Sequence, residues 1–311
     1  MRSEKIANMP DRGVVQVTGA DAAKLLQGLI TNDIATLETK PDDVAFDAAS
    51  VHAGLLSPQG KILFDFFCVR TLDGFVLDVA RDKAADLAKR LTMYKLRARA
   101  DIKVVSDDYQ VLALWGPQAC SSGPTTGTFA FRDPRHPDLG TRILAEARFA
   151  TDIASATTGS KVGSEIYHAH RIALGVPEGG KDYDFGDAYP HEANFDLLHG
   201  ASFTKGCYVG QEVVARMQNK TVVRKRIVKV EGAAELTSGA DILLGEAPIG
   251  KIGSINGVYG LAMLRLDRAI EAVDKGIALT ANGISITANT EALDRYRASI
   301  AARPAGPGFS S

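Results

Sequence analysis

Lys205-Gly206-Cys207-Tyr208-Val209-Gly210-Gln211-Glu212, with Arg216 four residues further on, sets an ammonium, a thiol, an amide and a carboxylate among two glycines. Glycine reaches backbone conformations closed to other residues, so the stretch reads as a shaped loop. Gln211-Glu212-Val213-Val214-Ala215-Arg216-Met217 reads as a helix that begins directly after it. The thiolate is the reactive form of cysteine, and a neighbouring Lys and a helix N-terminus both favour it. On that reading Cys207 is an activated or ligand-exchanging thiol, with Lys205 as the activating group. The competing reading is a glycine-rich turn around a half-buried thiol, because free cysteines are often buried. The residues of the loop leave both readings open.

Working outward, the chain N-terminal to this loop mixes strands and helices without strict alternation. Gly13 to Val17 is strand-like, and Asp21 is a cap acceptor for a helix carrying Ala23, Leu26 and Ile30. Residues 44–56 and 62–70 read as strands joined by the Ser57-Pro58-Gln59-Gly60 turn. A strand over 75–80 leads into a helix over 82–94, where Leu87, Leu91 and Tyr94 share a face. Strands follow at 101–105 and 109–115, then a helix over 160–174 and a long irregular stretch to His199. This texture is α+β. Beyond the loop helix, short β-like segments at 225–231, 249–256, 258–265, 277–280 and 284–287 alternate with glycine turns, the spacing of a small antiparallel barrel.

At 311 residues the chain exceeds what one core usually serves, so more than one domain is expected. A net charge of -1 argues against bulk attraction to nucleic acid. The three cysteines, Cys68, Cys120 and Cys207, form neither a disulfide framework nor a Cys-x-x-Cys motif, which fits a reducing compartment. The segment Met1 to Lys5 lacks the features of a signal peptide, and Glu4 and Asp11 argue against a presequence. A soluble, cytoplasmic protein is therefore expected, and no apolar run suits a membrane.

Other candidates carry less chemistry. His168 and His170 diverge on a helix, and His191 and His199 show no ligand spacing, so no metal site is expected. Cys68 and Cys120 read as packing residues. In the basic stretch Lys220, Arg224, Lys225, Arg226, Lys229, a strand places Arg224 and Arg226 on one face. The stretch reads as a solvated strand end, or as a grip on an anionic tail or an RNA phosphate. Arg97 and Arg99 pose the same question, and without interleaved aromatics direct nucleic-acid binding is not favoured. Neither a phosphate-binding glycine loop nor a dinucleotide fingerprint is present.

Lys205-Gly206-Cys207-Tyr208-x-Gly210-Gln211-Glu212-x-x-x-Arg216 resembles the signature of the YgfZ family, which includes mitochondrial relatives in iron–sulfur protein maturation. Leu26 to Asp33, Gln59 to Asp65, Tyr94-Lys95-Leu96-Arg97, Arg171 with Gly175 to Gly179, and Pro190-x-Glu192-Ala193-Asn194 extend the resemblance across the chain up to the barrel. The resemblance implies the fold of the glycine-cleavage T-protein: a folate-binding α+β body with ferredoxin-like subdomains, then a C-terminal antiparallel β-barrel. The expected bounds are 1–221 with an inserted subdomain near 44–105, a barrel over 222–296, and a flexible tail over 297–311.

The resemblance also implies roles. Cys207 and Lys205 act at the site, with Gly206, Tyr208, Gly210, Gln211 and Glu212 shaping the loop and Arg216 pairing with Glu212. Asn32, Asp33, Asp65 and Glu192 anchor tetrahydrofolate, with Arg97 or Arg224 near its charged tail. Cys207 contacts an iron–sulfur cluster transiently, and no metal is resident. The implied partners are A-type scaffold proteins and iron–sulfur client enzymes, tRNA-modifying enzymes among them. The rivals are a tetrahydrofolate-dependent aminomethyltransferase or other one-carbon transferase, and a purely binding module on tRNA-modifying enzymes or their RNA. The aminomethyltransferases carry paired aspartates where this chain has Phe64-Asp65, and a missing carboxylate there argues against aminomethyl transfer.

Overall fold

The computed structural model describes residues 4–37, 48–116, 128–156 and 159–302. Cys120, residues 44–47 of the expected first hairpin strand, and 303–311 of the expected tail lie outside the described residues. Short elements come first: β1 (Lys5–Asn8), β2 (Arg12–Thr18) and helix α1 (Ala22–Gln27). The hairpin β3 (Ser50–Leu56) and β4 (Ile62–Thr71) is followed by β5 (Gly74–Ala80), α2 (Ala84–Lys95) and β6 (Asp101–Val104). These strands form one sheet in the order β3-β4-β5-β2-β6. The sheet thus draws a strand from well before residue 44, so the unit is not confined to 44–105.

Register decides what each face of this sheet does. His52 pairs with Phe67 and Gly54 with Asp65 across β3 and β4, so these four positions share a face. Ala53, Leu55, Phe64, Phe66 and Cys68 take the other face and pack with Leu26, Leu87 and Leu91 of α1 and α2. Burial of Cys68 pushes its thiol well above the usual range, as suits a packing residue. Asp21 does not cap α1 with its side chain; its carboxylate accepts the Arg99 backbone N–H at 2.8 Å and Nε at 3.2 Å.

A second sheet contains β7 (Tyr109–Trp115), β8 (Thr128–Arg132), β9 (Thr141–Glu146) and β10 (Ser160–Val162), in the order β10-β1-β7-β9-β8. Helix α3 (Ala150–Ala156) covers its outer face through Ile6, Leu112, Leu114, Ile143 and Ile153. The expected helix over 160–174 divides: its first residues pair in parallel with β1, and α4 (Ser164–Leu174) starts after Gly163. Between the two sheets, apolar contacts of Phe67, Val69, Trp115 and Phe131 enclose a charged cluster. Asp78 receives Arg12 Nε at 2.6 Å and Arg142 Nη1 at 3.0 Å, and Arg135 forks onto Asp133 at 2.9 and 2.7 Å.

Helix α5 (Gln211–Lys220) leads into a closed barrel of β11 (Lys225–Gly232), β12 (Asp241–Leu244), β13 (Ala247–Asn256), β14 (Tyr259–Arg265), β15 (Leu279–Ala281) and β16 (Ile284–Ala288). Strand β12 was not anticipated, nor were α6 (Leu266–Asp274) and α7 (Thr290–Ala301), which bury Leu266, Ala269, Leu293 and Tyr296 against the barrel. Residues 297–301 are therefore helical, not tail. Arg171 of α4 fastens body to barrel: its guanidinium donates to Asp182 at 2.7 Å and to Ser254 Oγ of β13 at 2.6 Å. Asp182 accepts the Ser254 N–H at 2.8 Å through its other oxygen.

Candidate functional site: an exposed thiol on a locked loop

The loop after Ser202 is held from beneath. Lys205 is buried, and its Nζ donates to the carbonyls of Gln27, Ile30 and Asn32, each at 2.8 Å. All three ammonium protons are thereby committed. Burial pushes the Lys205 pKa down to about 8, with Asp33 and the Cys68 thiol acting the other way. Lys205 is thus a clamp joining two distant segments of the chain, and its side chain goes to the main chain of 27–32, not to Cys207. This corrects its expected role as the activator of the thiol.

Tyr208 is the second anchor. Its ring is buried among Leu56, Ile62, Phe195, Val214 and Leu261, where body, α5 and barrel meet, and burial raises its phenol to about 12. Gly210 is the third, with φ 81. A Cβ there would lie 2.7 Å from Ser57 O and 3.1 Å from Gly60 Cα, so the loop presses directly on the β3–β4 turn. Gly60, also at positive φ, faces Val213 of α5 as closely, its Cβ position being 2.8 Å from Val213 Cβ.

The outward atoms of the same loop have no partners. Cys207 is a free, exposed thiol, and beside Gly206 there is open space. Glu212 and Arg216 are both exposed and do not form the expected i, i+4 ion pair; neither side chain makes a hydrogen bond among the described residues. The Gln211 side chain makes none either, and only its backbone N–H acts in the loop, donating to Tyr208 O at 3.2 Å.

A second polar centre lies inside, on the face of β3 and β4 turned away from α1 and α2. Asp65 is buried and accepts the Tyr183 hydroxyl at 2.7 Å through Oδ2, while Oδ1 has no partner. Burial and this carboxylate together hold the Tyr183 phenol well above its ordinary range. Gly179 packs tightly against this centre: a Cβ there would collide with Phe185 Cζ and lie 2.9 Å from Asp65 Oδ1. His52 sits on the same face with Nδ1 also unpartnered, and burial pushes its pKa down to about 4. No sequence signal singled out His52 or Tyr183, and Gly179 stood only as the end of the Gly175 to Gly179 motif; the three converge through register and the 176–200 loop.

The remaining folate candidates are dispersed. Both Asn32 amide protons are used, on His52 O at 2.8 Å and His199 O at 2.7 Å, and its Oδ1 accepts the Asp33 N–H. Asp33 accepts Gln27 Nε2 at 2.8 Å. Glu192 accepts the Tyr189 N–H at 2.8 Å, and its carbonyl accepts the Ile227 N–H of the barrel. Arg97 and Arg224 are exposed, and no hydrogen bond joins either side chain to the other four among the described residues. A groove of about 760 Å³ does exist where α4, α5, α7 and β11 meet. None of the expected site residues lines it, whereas His191, Asp196 and Arg226 do.

Comparison with known proteins agrees with this architecture. A family described as the CAF17 C-terminal beta-barrel domain matches residues 224–293. The crystal structure of the glycine cleavage system aminomethyltransferase T from Bartonella henselae superposes with a TM-score of 0.75 over 92% of this chain and 85% of that one, at 16% identity. That likeness shows the T-protein fold. An iron–sulfur cluster assembly factor IBA57 homolog of Mycosarcoma maydis is 39% identical over 72% of this chain, which spans 56% of that relative's length. The human and mouse IBA57 proteins are 31% and 34% identical, over 81% and 82% of this chain and 75% of their own lengths. All three relatives are mitochondrial by name, which overturns the cytoplasmic expectation. The chain belongs to the family of IBA57 iron–sulfur cluster assembly factors.

Proposed function

We propose that this chain assists assembly or maintenance of iron–sulfur clusters in client enzymes, with Cys207 as a transient ligand, and that it binds a folate in its body. One observation carries the first half: a free thiol stands exposed on a loop whose buried side is fixed by Lys205, Tyr208 and Gly210. A cysteine meant for packing is placed as Cys68 is. A cysteine meant to meet iron held by another protein must face solvent, on a base that keeps its position. In such an exchange the Cys207 thiol gives its proton to solvent as sulfur bonds iron, and the thiolate it displaces takes a proton up. The cluster is the cargo, shared with a scaffold of the A type and passed to clients.

The folate half is supported at Asp65 and not at Asn32. The unpartnered buried oxygen of Asp65 suits the N–H donors of a pterin ring, beside the Tyr183 hydroxyl. Asn32 has no donor left to offer. Phe64, where the aminomethyltransferases carry a second aspartate, points into the α1/α2 core. A single inward carboxylate favours folate as a bound ligand over aminomethyl transfer.

The test is complementation of cells lacking the endogenous relative, read as the activity of iron–sulfur enzymes. Cys207→Ser is expected to leave those activities low while the purified variant still binds tetrahydrofolate. Asp65→Asn is expected to weaken tetrahydrofolate binding by about tenfold or more, as loss of a buried charged partner does. Full complementation by Cys207→Ser would contradict the cluster role, and undiminished binding by Asp65→Asn would contradict the folate assignment.

A further inference from the structure

Between Lys205 and Val230 the chain carries seven Lys or Arg and a single acid, Glu212, although its overall charge is only -1. The structure separates these cations by task. Lys205 closes over three carbonyls. Arg226 forks onto Asp196 at 2.8 and 2.7 Å and donates to His191 O at 2.7 Å. Lys229 Nζ reaches Ala173 O at 3.2 Å. Arg216, Lys220 and Arg224 are exposed, and among the described residues their side chains make no hydrogen bond or ion pair; half-buried Lys225 makes none there either. Asp267 lies within the field of Arg224 but is itself held by Arg265 at 2.7 Å.

The unpaired cations form a stripe. Arg216 and Lys220 stand one turn apart on α5, and Arg224 follows at the barrel entrance. Like charges at this spacing cost a helix a few tenths of a kcal/mol, so fold stability does not explain the series. The stripe begins on the helix that leaves the Cys207 loop. Phe203, 43% exposed, belongs to the other side of α5: it leans on His191 with ring centroids 5.9 Å apart, and His191 Nε2 meets Oε1 of Gln218, two residues from both Arg216 and Lys220 and so turned away from them.

We infer that this stripe docks an acidic surface of the protein with which Cys207 exchanges its cluster. The inference rests on the reading of Cys207 given above. Complementary charge raises encounter rates and fixes register more than it adds affinity, which suits a short-lived exchange complex. A protein surface is favoured over single-stranded nucleic acid because no aromatic side chain occurs between Tyr208 and Tyr259 to stack a base.

The test titrates the full chain, anaerobically, with an A-type scaffold protein carrying its cluster, at ionic strengths from about 0.05 to 0.5 M. Wild type is expected to bind more weakly as salt rises. Lys220→Glu/Arg224→Glu, with an unchanged thermal midpoint, is expected to bind about tenfold more weakly at low salt and to lose most of the salt dependence. Lys220→Gln/Arg224→Gln should fall between. Polyglutamate is expected to compete with the scaffold, and tRNA to do so no better than its charge dictates. Wild-type association by the charge-reversed chain overturns the inference, and so does tRNA binding that polyglutamate cannot displace. If Cys207→Ser transfers cluster as well as wild type, the reading of the thiol fails instead, and the salt dependence alone judges the stripe.

Discussion

The loop at Cys207 and the centre at Asp65 are both polar sites in an apolar frame, yet they are built in opposite ways. At the loop the buried ammonium of Lys205 meets three carbonyls, while the exposed Cys207, Glu212 and Arg216 side chains meet no hydrogen-bond partner among the described residues. At the inner centre the arrangement is reversed. Asp65 Oδ1 and His52 Nδ1 are buried without partners, although the groups around them are tightly packed. Free groups in water cost nothing and are available to a protein partner, whereas unpartnered groups in a dry interior are costly and await a small ligand. On this difference rest the two proposed roles, docking at the loop and ligand binding at the inner centre.

The largest effect that sharpens this contrast is expected from Lys205→Met. It leaves three carbonyls without their donor and should destabilise the fold by about 3 kcal/mol or more, read by denaturant unfolding. A small loss would mean that the loop is not clamped at all.

The inner centre is reached by pH. His52 binds protons at about 4 when folded against 6.5 when unfolded, so between those values the unfolded chain holds more protons. Stability contributed by neutral, buried His52 is therefore complete above pH 6.5 and lost as pH falls toward 4. His52→Gln is expected to flatten the stability profile across that window, by on the order of 2 kcal/mol. An unchanged profile would show that His52 does not titrate there.

The smallest effect is expected from Arg216→Ala, which touches no partner and should shift stability by less than about 0.5 kcal/mol. A larger loss would place Arg216 inside the fold instead of on its docking face.

What was legible in the sequence follows from range. Five of the six barrel strands, the α5 start and the packing role of Cys68 are local matters of period and turn, and the structure bears them out. The Lys205 clamp is not local: its acceptors lie 173 to 178 residues earlier, and no spacing rule connects a lysine to the carbonyls of another motif. The Glu212–Arg216 pair shows the converse, since four-residue spacing permits an ion pair without requiring one. Arg224 and Arg226 read alike on a strand, but only Arg226 meets Asp196, from a loop whose path the sequence does not reveal. Helix α6 was missed because it follows β14 with no turn residue between them.

The most direct measurement is anaerobic transfer of a cluster from an A-type scaffold to the chain, followed by visible circular dichroism, for wild type and Cys207→Ser side by side. The expected result is that the serine variant keeps the wild-type thermal midpoint, because Cys207 contributes nothing to the base of its loop, while transfer is lost. Transfer at the wild-type rate by the serine variant would contradict the role given to the exposed thiol, and a lowered midpoint would contradict its separation from the fold.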